Sequence, residues 1–145
     1  MSTSARVLVV DDDEYVLRRY RSVLASATVT VEGARTDDEA VEILARQAFD
    51  VVVIEYRMPG SDGLAVLRVI KDRWPDIEVV LVSGAPSVEH AKQAIRLGAY
   101  DYLAKPVSFD EVSTVVAHAA IQKKWALRRL PRRDPAQPTH EGELS

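Results

Sequence analysis

The chain contains no cysteine, which excludes disulfide bonds, thiolate metal ligands and a cysteine nucleophile. It also lacks an apolar run near the roughly 18 residues that a membrane-spanning helix needs, and its N-terminus does not have the composition of a signal peptide. The net charge of −3 and the pI near 5.6 provide no overall attraction to nucleic acid or to an anionic membrane. We therefore expect a cytoplasmic protein that binds neither membranes nor nucleic acid directly.

Several common catalytic patterns are missing as well. The sequence has no Ser-His-Asp set, no glycine-rich phosphate loop and no dinucleotide-binding fingerprint. Its three histidines, His90, His118 and His140, fall in predicted helices or near the C-terminus, away from the predicted strand ends. The 145 residues, 47% of them hydrophobic and 28% charged, suit one ordinary globular domain. Carboxylates, hydroxyls and lysines therefore become the candidate functional groups.

The most informative stretch is DVVVIEYRMPGSDG, residues 50–63. Its four β-branched residues, 51–54, predict a strand that is buried on both faces, as in a parallel sheet. Glu55 follows at the carboxyl end of this strand, where open α/β sheets place their ligands. Glu55 is therefore the first candidate functional residue.

Strand-like and helix-like segments alternate along the chain. The predicted strands are residues 6–10, 28–31, 51–54, 77–82 and 100–103. Between them, apolar residues recur three and four positions apart, which predicts a helix after each strand. Two pairs, Thr36 with Glu39 and Ser108 with Glu111, form capping boxes at predicted helix starts. The alternation predicts an α/β domain with a parallel sheet and helices on both faces.

The composition changes towards the C-terminus. Residues 123–133 contain six basic residues and no acidic one, and prolines at positions 131, 135 and 138 interrupt the last fifteen residues. We expect residues 1–123 to form the folded domain. Residues 124–145 are predicted to form a basic helix extension and a flexible, proline-rich tail or linker. The extension fits either a signalling helix or a site for an acidic partner.

Charged and hydroxyl side chains follow four of the predicted strands, at what would be one edge of the sheet. They are Asp11, Asp12, Asp13, Glu55, Ser83 and Lys105. Close carboxylates repel each other by about 1–4 kcal/mol per pair, and a cation among them relieves that repulsion. Oxygen ligands without His or Cys favour Mg²⁺ or Mn²⁺, and a nearby lysine and hydroxyl suit a phosphoryl oxygen. Taken singly, Asp13 is more simply explained as an N-cap, Ser83 as a loop hydroxyl and Lys105 as a surface cation.

Four blocks of the sequence, VLVVDDD, DVVVIEYRMPGSDGL, VLVSGAP and GAYDYLAKP, resemble the response-regulator receiver domain of two-component signalling. The resemblance covers residues 6 to about 123. It implies a flavodoxin-like (βα)5 fold with strand order 2-1-3-4-5, and a non-enzymatic module of a phosphorelay. The RMPG segment of the second block and the whole last block look most like receivers from regulators of enhancer-dependent promoters.

The resemblance also implies roles for individual residues. Asp11 and Asp12 match the family's acidic pair, with Asp12 favoured as the direct Mg²⁺ ligand. The backbone carbonyl of Arg57 matches the main-chain metal ligand. Ser83 matches the hydroxyl that binds the phosphoryl group, and Lys105 matches the lysine that contacts this group from the other side.

Further expectations concern switching and partners. Tyr102 matches the aromatic residue that turns inward when Ser83 moves, although a half-buried strand aromatic explains it equally well. Pro106 matches a proline that follows a cis peptide bond. The implied partners are a sensor histidine kinase or phosphotransfer protein, and a second copy bound through the fourth helix, fifth strand and fifth helix. Residues expected on that face are Lys92, Arg96, Asp101, Tyr102, Asp110 and Glu111.

Glu55 departs from the family pattern, which has an aspartate phosphoacceptor at this position and uses it as a metal ligand as well. The extra methylene shifts the carboxylate by roughly 1–1.5 Å, and a misplacement of about 1 Å costs about 100-fold in a positioned reaction. We therefore expect weakened Mg²⁺ binding and poor or absent phosphorylation.

Two origins of Glu55 remain open, and one other functional class. Glu55 is either natural, in a pseudo-receiver or a mimic of the activated state, or an engineered Asp→Glu change in a fully phosphorylatable receiver. The other class is a Mg²⁺-dependent phosphatase-like enzyme. This alternative is disfavoured because such enzymes place a second aspartate where this chain has Arg57.

Overall fold

The computed structural model describes residues 5–129, and its side chains are described as far as residue 123. A parallel sheet has the strand order β2-β1-β3-β6-β7. Its strands are β1 (Ala5–Val10), β2 (Val29–Ala34), β3 (Val51–Glu55), β6 (Glu78–Ser83) and β7 (Asp101–Ala104). The helices are α1 (Glu14–Leu24), α2 (Asp37–Arg46), α3 (Gly63–Arg73), α4 (Val88–Arg96) and α5 (Phe109–Arg129). The predicted α/β class and flavodoxin-like topology are confirmed. The predicted strand order 2-1-3-4-5 is confirmed as well, since β6 and β7 are the fourth and fifth strands of this sheet along the chain.

The core lies on both faces of the sheet, because β1, β3 and β6 are apolar along almost their whole length. On one face, α2, α3 and α4 cover buried side chains that include Leu8, Val52 and Leu81. On the other face, α1 and α5 cover Val9 and Val53, among others. Burial of each such side chain contributes about 1.5–3 kcal/mol, so these central strands form the rigid support of the sheet edge.

The predicted helix starts are largely confirmed. Asp13 is the N-cap of α1, and its carboxylate accepts hydrogen bonds from the backbone N–H groups of Tyr15 at 2.8 Å and Val16 at 3.4 Å. Ser108 and Glu111 form a complete capping box with reciprocal hydrogen bonds.

The Thr36 box departs in one bond. The Thr36 hydroxyl accepts from the Glu39 N–H, but the Glu39 carboxylate accepts from the N–H of Arg35 rather than from that of Thr36. The side chain of Glu39 therefore reaches one residue further back than the ordinary box requires.

Several boundaries differ from the sequence-based expectation. The apolar spacing predicts a first helix from Glu14 to Ala27, but α1 ends at Leu24, because the chain turns through a bridge between Ser26 and Val29. Strand β2 continues to Ala34, because it pairs with β1 from its first residue to its last, and this pairing overrides the poor strand propensity of Gly33. A short antiparallel hairpin, β4 (Arg57–Met58) with β5 (Ser61–Asp62), was not predicted, since two-residue strands show no alternation.

Helix α5 continues past Lys123 to Arg129, within the region predicted as a helix extension. The proline-rich tail predicted after it lies outside the described residues. Within residues 5–129, no helix has the combination of length and apolar character needed to cross a membrane.

Candidate functional site

The sheet register brings the predicted residues to one edge. Asp11 directly follows β1, Glu55 ends β3, Ser83 ends β6 and Lys105 directly follows β7. Because all five main strands run parallel, their carboxyl ends meet at this edge. The prediction that these side chains share one edge is confirmed by the pairing of the strands.

Glu55 and Lys105 form an ion pair at the centre of this edge. The Lys105 Nζ lies 2.7 Å from the Glu55 Oε1. The side chain of Glu55 is 10% exposed and that of Lys105 is 45% exposed, so solvent screens the pair from the lysine side. The second oxygen, Oε2, accepts a long hydrogen bond of 3.3 Å from the N–H of Arg57. Both Glu55 oxygens are therefore directed at groups of the protein.

Ser83 ends the strand that lies between those of Glu55 and Lys105. It is completely buried, and its Oγ accepts a hydrogen bond from the Ala85 N–H at 3.2 Å. Its carbonyl accepts from the Lys105 N–H at 2.8 Å, which ties the lysine backbone to the end of β6. A hydroxyl that accepts one bond still has a proton to donate. Ser83 is thus placed as a hydrogen-bond donor next to Lys105.

The acidic side of the edge carries excess negative charge. Asp11 is buried, and its Oδ1 accepts from the Asp13 N–H at 2.9 Å. Burial raises the pKa of Asp11, and the hydrogen bond from the Asp13 N–H opposes this shift. The carboxylates of Glu55 and Asp12 raise the pKa further, partly offset by the charge of Lys105. Burial, with the charges of Asp11 and Glu55, also raises the pKa of Tyr20 to about 12. The field of these carboxylates therefore extends into the α1 side of the core.

The loop that carries Asp12 is held by a residue that sequence reasoning missed. The guanidinium of Arg35, just beyond β2, donates to the Asp12 carbonyl at 3.0 and 3.3 Å. Asp11 is tied to the same strand, since its N–H donates to the Ala34 carbonyl at 3.0 Å. No spacing rule connects Arg35 with Asp12, because the contact depends on the pairing of β1 with β2.

A divalent cation fits the chemistry of this edge. Within the described residues, no three His, Cys, Asp or Glu side chains are grouped as metal ligands. Glu55 is paired with Lys105. Asp11, Asp12 and the carbonyl of Arg57 remain as hard oxygen donors, which suit Mg²⁺. The pKa of Asp11 is raised mainly by burial and to a smaller extent by the Glu55 and Asp12 carboxylates, and a cation beside Asp11 would favour its ionised form.

Tyr102 lies in β7, two residues before Ala104. Ala104 is the residue of β7 that pairs with Ser83 of β6. Its ring packs against the core, and its buried hydroxyl has no hydrogen-bond partner among the described residues. The peptide bond between Lys105 and Pro106 is cis, as predicted.

His90 corrects an expectation. Its ring centroid lies 4.9 Å from that of Tyr56, the residue that directly follows Glu55. The prediction that this histidine lies away from the strand ends is therefore wrong, because the first turn of α4 lies over the loop that follows β3. Burial and the nearby charge of Asp62 raise the pKa of Tyr56. A contact between residues on two separate elements has no signal in sequence spacing.

Comparisons with known proteins agree with this geometry. A family model described as the response regulator receiver domain matches residues 7–117. The chain is 32% identical over 142 residues to the C4-dicarboxylate transport transcriptional regulatory protein DctD of Rhizobium meliloti, covering 98% of this chain and 31% of that protein. It is 38% identical over 113 residues to the DNA-binding transcriptional regulator NtrC of Escherichia coli, covering 78% of this chain and 24% of that protein.

Solved structures agree as well. The beryllofluoride-activated NtrC4 receiver domain dimer superimposes with a TM-score of 0.76 at 34% identity, covering 81% of this chain and 98% of that chain. The chain spans only about a quarter to a third of the length of DctD and NtrC. With the predicted topology, the shared sheet edge and a family match over most of its length, the chain belongs to the response regulator receiver domain family.

Proposed function

We propose that this chain is a receiver module of a phosphorelay in which Glu55 occupies the phosphoacceptor position and is phosphorylated poorly or not at all. The supporting observation is the 2.7 Å ion pair between the Glu55 carboxylate and the Lys105 ammonium. In this arrangement the acceptor carboxylate already contacts the lysine that, by resemblance, binds the incoming phosphoryl group. The module signals by its conformation and is not an enzyme.

The chemistry of transfer explains why this arrangement is unfavourable. Phosphoryl transfer needs a carboxylate oxygen in line with the leaving group, with cations neutralising the charge on the transferred group. Breaking the partly exposed Glu55–Lys105 pair costs only about 1 kcal/mol or less. The misplaced carboxylate is the larger obstacle, since a displacement of about 1 Å costs about 100-fold in rate.

The remaining residues would hold the other groups of the reaction. Asp11, Asp12 and the Arg57 carbonyl would hold Mg²⁺, which supplies charge neutralisation at the phosphoryl oxygens. The Ser83 hydroxyl and the Lys105 ammonium would bind those oxygens. The backbone of Asp11 donates a hydrogen bond to the Ala34 carbonyl, and the backbone of Asp12 accepts one from the Arg35 guanidinium. The position of these two residues therefore does not depend on Glu55.

The same geometry supports a constitutive bias towards the activated state. Glu55 carries its negative charge out to Lys105, where a phosphoryl group on a shorter aspartate would place its oxygens. The buried hydroxyl of Tyr102 is in keeping with the inward position that the family resemblance links to activation. Glu55 would therefore act as a partial, permanent substitute for phosphorylation in a pseudo-receiver.

Intact-mass spectrometry after incubation with acetyl phosphate and Mg²⁺ tests the acceptor role. We expect no adduct of about 80 Da on the wild-type chain and a Mg²⁺-dependent adduct on Glu55→Asp. The matched control is Glu55→Gln, which has the length of glutamate without its charge and should remain unmodified.

The Glu55→Asp variant tests whether the rest of the site is intact, whatever the origin of Glu55. Efficient phosphorylation of this variant would favour a site that is intact apart from Glu55, as in an engineered Asp→Glu receiver or a recently changed one. A phosphoryl adduct mapped to Glu55 in the wild-type chain would overturn the proposal.

We also propose that the module binds a histidine kinase or phosphotransfer protein and forms a homodimer through α4, β7 and α5. Apolar exposure on α4 supports the dimer face: Val88 is 73% and Ile95 is 55% exposed, and Ala94 alone of this helix is buried. Light scattering on the wild type and on Glu55→Asp with and without beryllofluoride tests it. Monomers in every condition would exclude dimerisation as the output.

A further inference from the structure

The opposite end of β3 carries a second carboxylate–lysine pair that the proposed function does not use. Asp50 directly precedes β3, and its Oδ1 lies 3.0 Å from the Nζ of Lys123 on α5. The two side chains are 11% and 13% exposed, respectively. The residues are 73 positions apart in the sequence, so this contact joins the start of a central strand to the end of the last helix.

Asp50 is itself held by the neighbouring strands. Its Oδ2 accepts from the Arg6 N–H at 2.8 Å, and its own N–H donates to the Arg6 carbonyl at 2.8 Å. Its carbonyl accepts from the N–H of Glu78, the first residue of β6, at 3.1 Å. Backbone contacts with two strands therefore leave this carboxylate little freedom to follow a moving partner.

Lys123 lies on the core-facing stripe of α5. Val116 and Ala120, two turns and one turn before it, are buried against the sheet, and the spacing of seven and three residues puts Lys123 on the same side of the helix. By contrast, Ile121, which directly follows Ala120, is 54% exposed. Beyond Lys123 the helix continues to Arg129, a distance of roughly 9 Å at 1.5 Å per residue.

We infer that the Asp50–Lys123 pair is a clamp that fixes the direction in which α5 continues towards Arg129. Lys123 lies on the core-facing stripe one turn after Ala120, so the pair ties this turn of the helix to the start of β3. Asp50 is accordingly a positioning residue for the basic extension. It acts at the end of β3 remote from Glu55, and the clamp requires neither phosphorylation nor a metal.

The direction of the extension can be measured by electron paramagnetic resonance. Because the chain has no cysteine, the double variant Arg18→Cys, Arg129→Cys gives one spin label on the exposed face of α1 and one at the end of α5. We expect a narrow distance distribution in this background. Addition of Lys123→Met, which keeps the aliphatic stem and removes the charge, should broaden it about twofold or more and should accelerate amide exchange after residue 120 by about tenfold.

Three controls separate a clamp from a general loss of stability. Lys123→Arg retains the charge and should restore the narrow distribution. Gln122→Met changes the neighbouring exposed residue of α5 and should have no effect. Asp50→Asn retains an acceptor for the Arg6 N–H and should reproduce the effect of Lys123→Met.

Two results would overturn the inference. One is an unchanged distance distribution in Lys123→Met. The other is an equal broadening in Gly63→Ala, which would lower stability through a clash with Tyr56 and leave the Asp50–Lys123 pair in place, since that would mean that lost stability and not the lost pair broadens the distribution. Neither result depends on Asp50→Asn.

Discussion

The two ends of β3 hold the same pair of functional groups in different surroundings. At the amino end, Asp50 and Lys123 are both nearly buried and lie 3.0 Å apart. At the carboxyl end, Glu55 and Lys105 lie 2.7 Å apart, but the lysine is 45% exposed. The shorter distance thus belongs to the more exposed pair, so distance alone does not tell which pair stabilises the fold.

The difference lies in what else holds each carboxylate. The second oxygen of Asp50 accepts a hydrogen bond of 2.8 Å from the N–H of Arg6, whereas that of Glu55 accepts one of 3.3 Å from the N–H of Arg57. Asp50 therefore belongs to the hydrogen-bonded frame of the sheet. Glu55 lies at the edge where loops leave the sheet and ligands can approach, and its weaker contacts allow the carboxylate to exchange partners.

The largest expected effect is the difference in the free energy of unfolding between variants of the two lysines. We expect Lys123→Met to lower the free energy of unfolding by about 3 kcal/mol, because it removes a nearly buried ammonium that neutralises the Asp50 carboxylate. The matched change Lys105→Met should cost about 1 kcal/mol or less, because solvent screens the half-exposed lysine. Urea denaturation of both variants measures the difference, and equal losses would mean that burial does not distinguish the two ends.

At the carboxyl end of β3, we expect a close backbone contact to affect stability more than the Glu55–Lys105 ion pair does. A Cβ on Gly63, the first residue of α3, would lie 2.9 Å from the Tyr56 Cα and 3.2 Å from the Tyr56 carbonyl oxygen. We expect Gly63→Ala to lower the free energy of unfolding by about 1–3 kcal/mol, since these backbone atoms have little room to move. A matched control is Gly60→Asn: Gly60 has a φ of 69° and no atom within 4 Å of the added Cβ, so the cost there should be smaller.

The smallest effect concerns the acidic side of the carboxyl end. Burial and neighbouring carboxylates raise the pKa of Asp11 in the folded chain above its unfolded value of 3.8, so its ionised form destabilises the fold. Asp11→Asn should therefore stabilise the chain near pH 7 by about 1 kcal/mol, the size of one screened like-charge interaction.

The pH dependence of stability tests the raised pKa of Asp11. The destabilisation by Asp11 is fully present above its folded pKa and disappears as the pH falls through that pKa towards 3.8. The difference in melting temperature between Asp11→Asn and the wild type should thus shrink below the folded pKa. A difference that grows on acidification would contradict a raised pKa.

Much of this molecule was accessible from its sequence because local patterns report local burial. The run of β-branched residues before Glu55 predicted a buried central strand, and β3 is buried from Val51 to Ile54. The cap of α1 at Asp13 followed from residue type and position in the same way. The small hairpin after Glu55 escaped prediction, since each of its strands has two residues and no periodicity.

Contacts between distant elements were less accessible. The positions of Arg35 next to Asp12 and of His90 next to Tyr56 follow from how strands and helices pack, and neither pair has a recognisable spacing. The same holds for the direction of the Glu55 side chain. Sequence placed a carboxylate at the end of β3, but the presence of Lys105 at the end of β7, two strands away, decided which way it turned.

The sequence by itself determined the alternation of strands and helices, the receiver family through its four motif blocks, and the substitution of glutamate at the predicted acceptor position. Only the tertiary structure decided that the lysine of one motif binds Glu55, and that a lysine outside every motif, Lys123, binds Asp50. The physical reason is that hydrophobic periodicity and capping act within a few residues of the chain. Ion pairs between elements depend instead on the register of the sheet and on how far each helix extends across it.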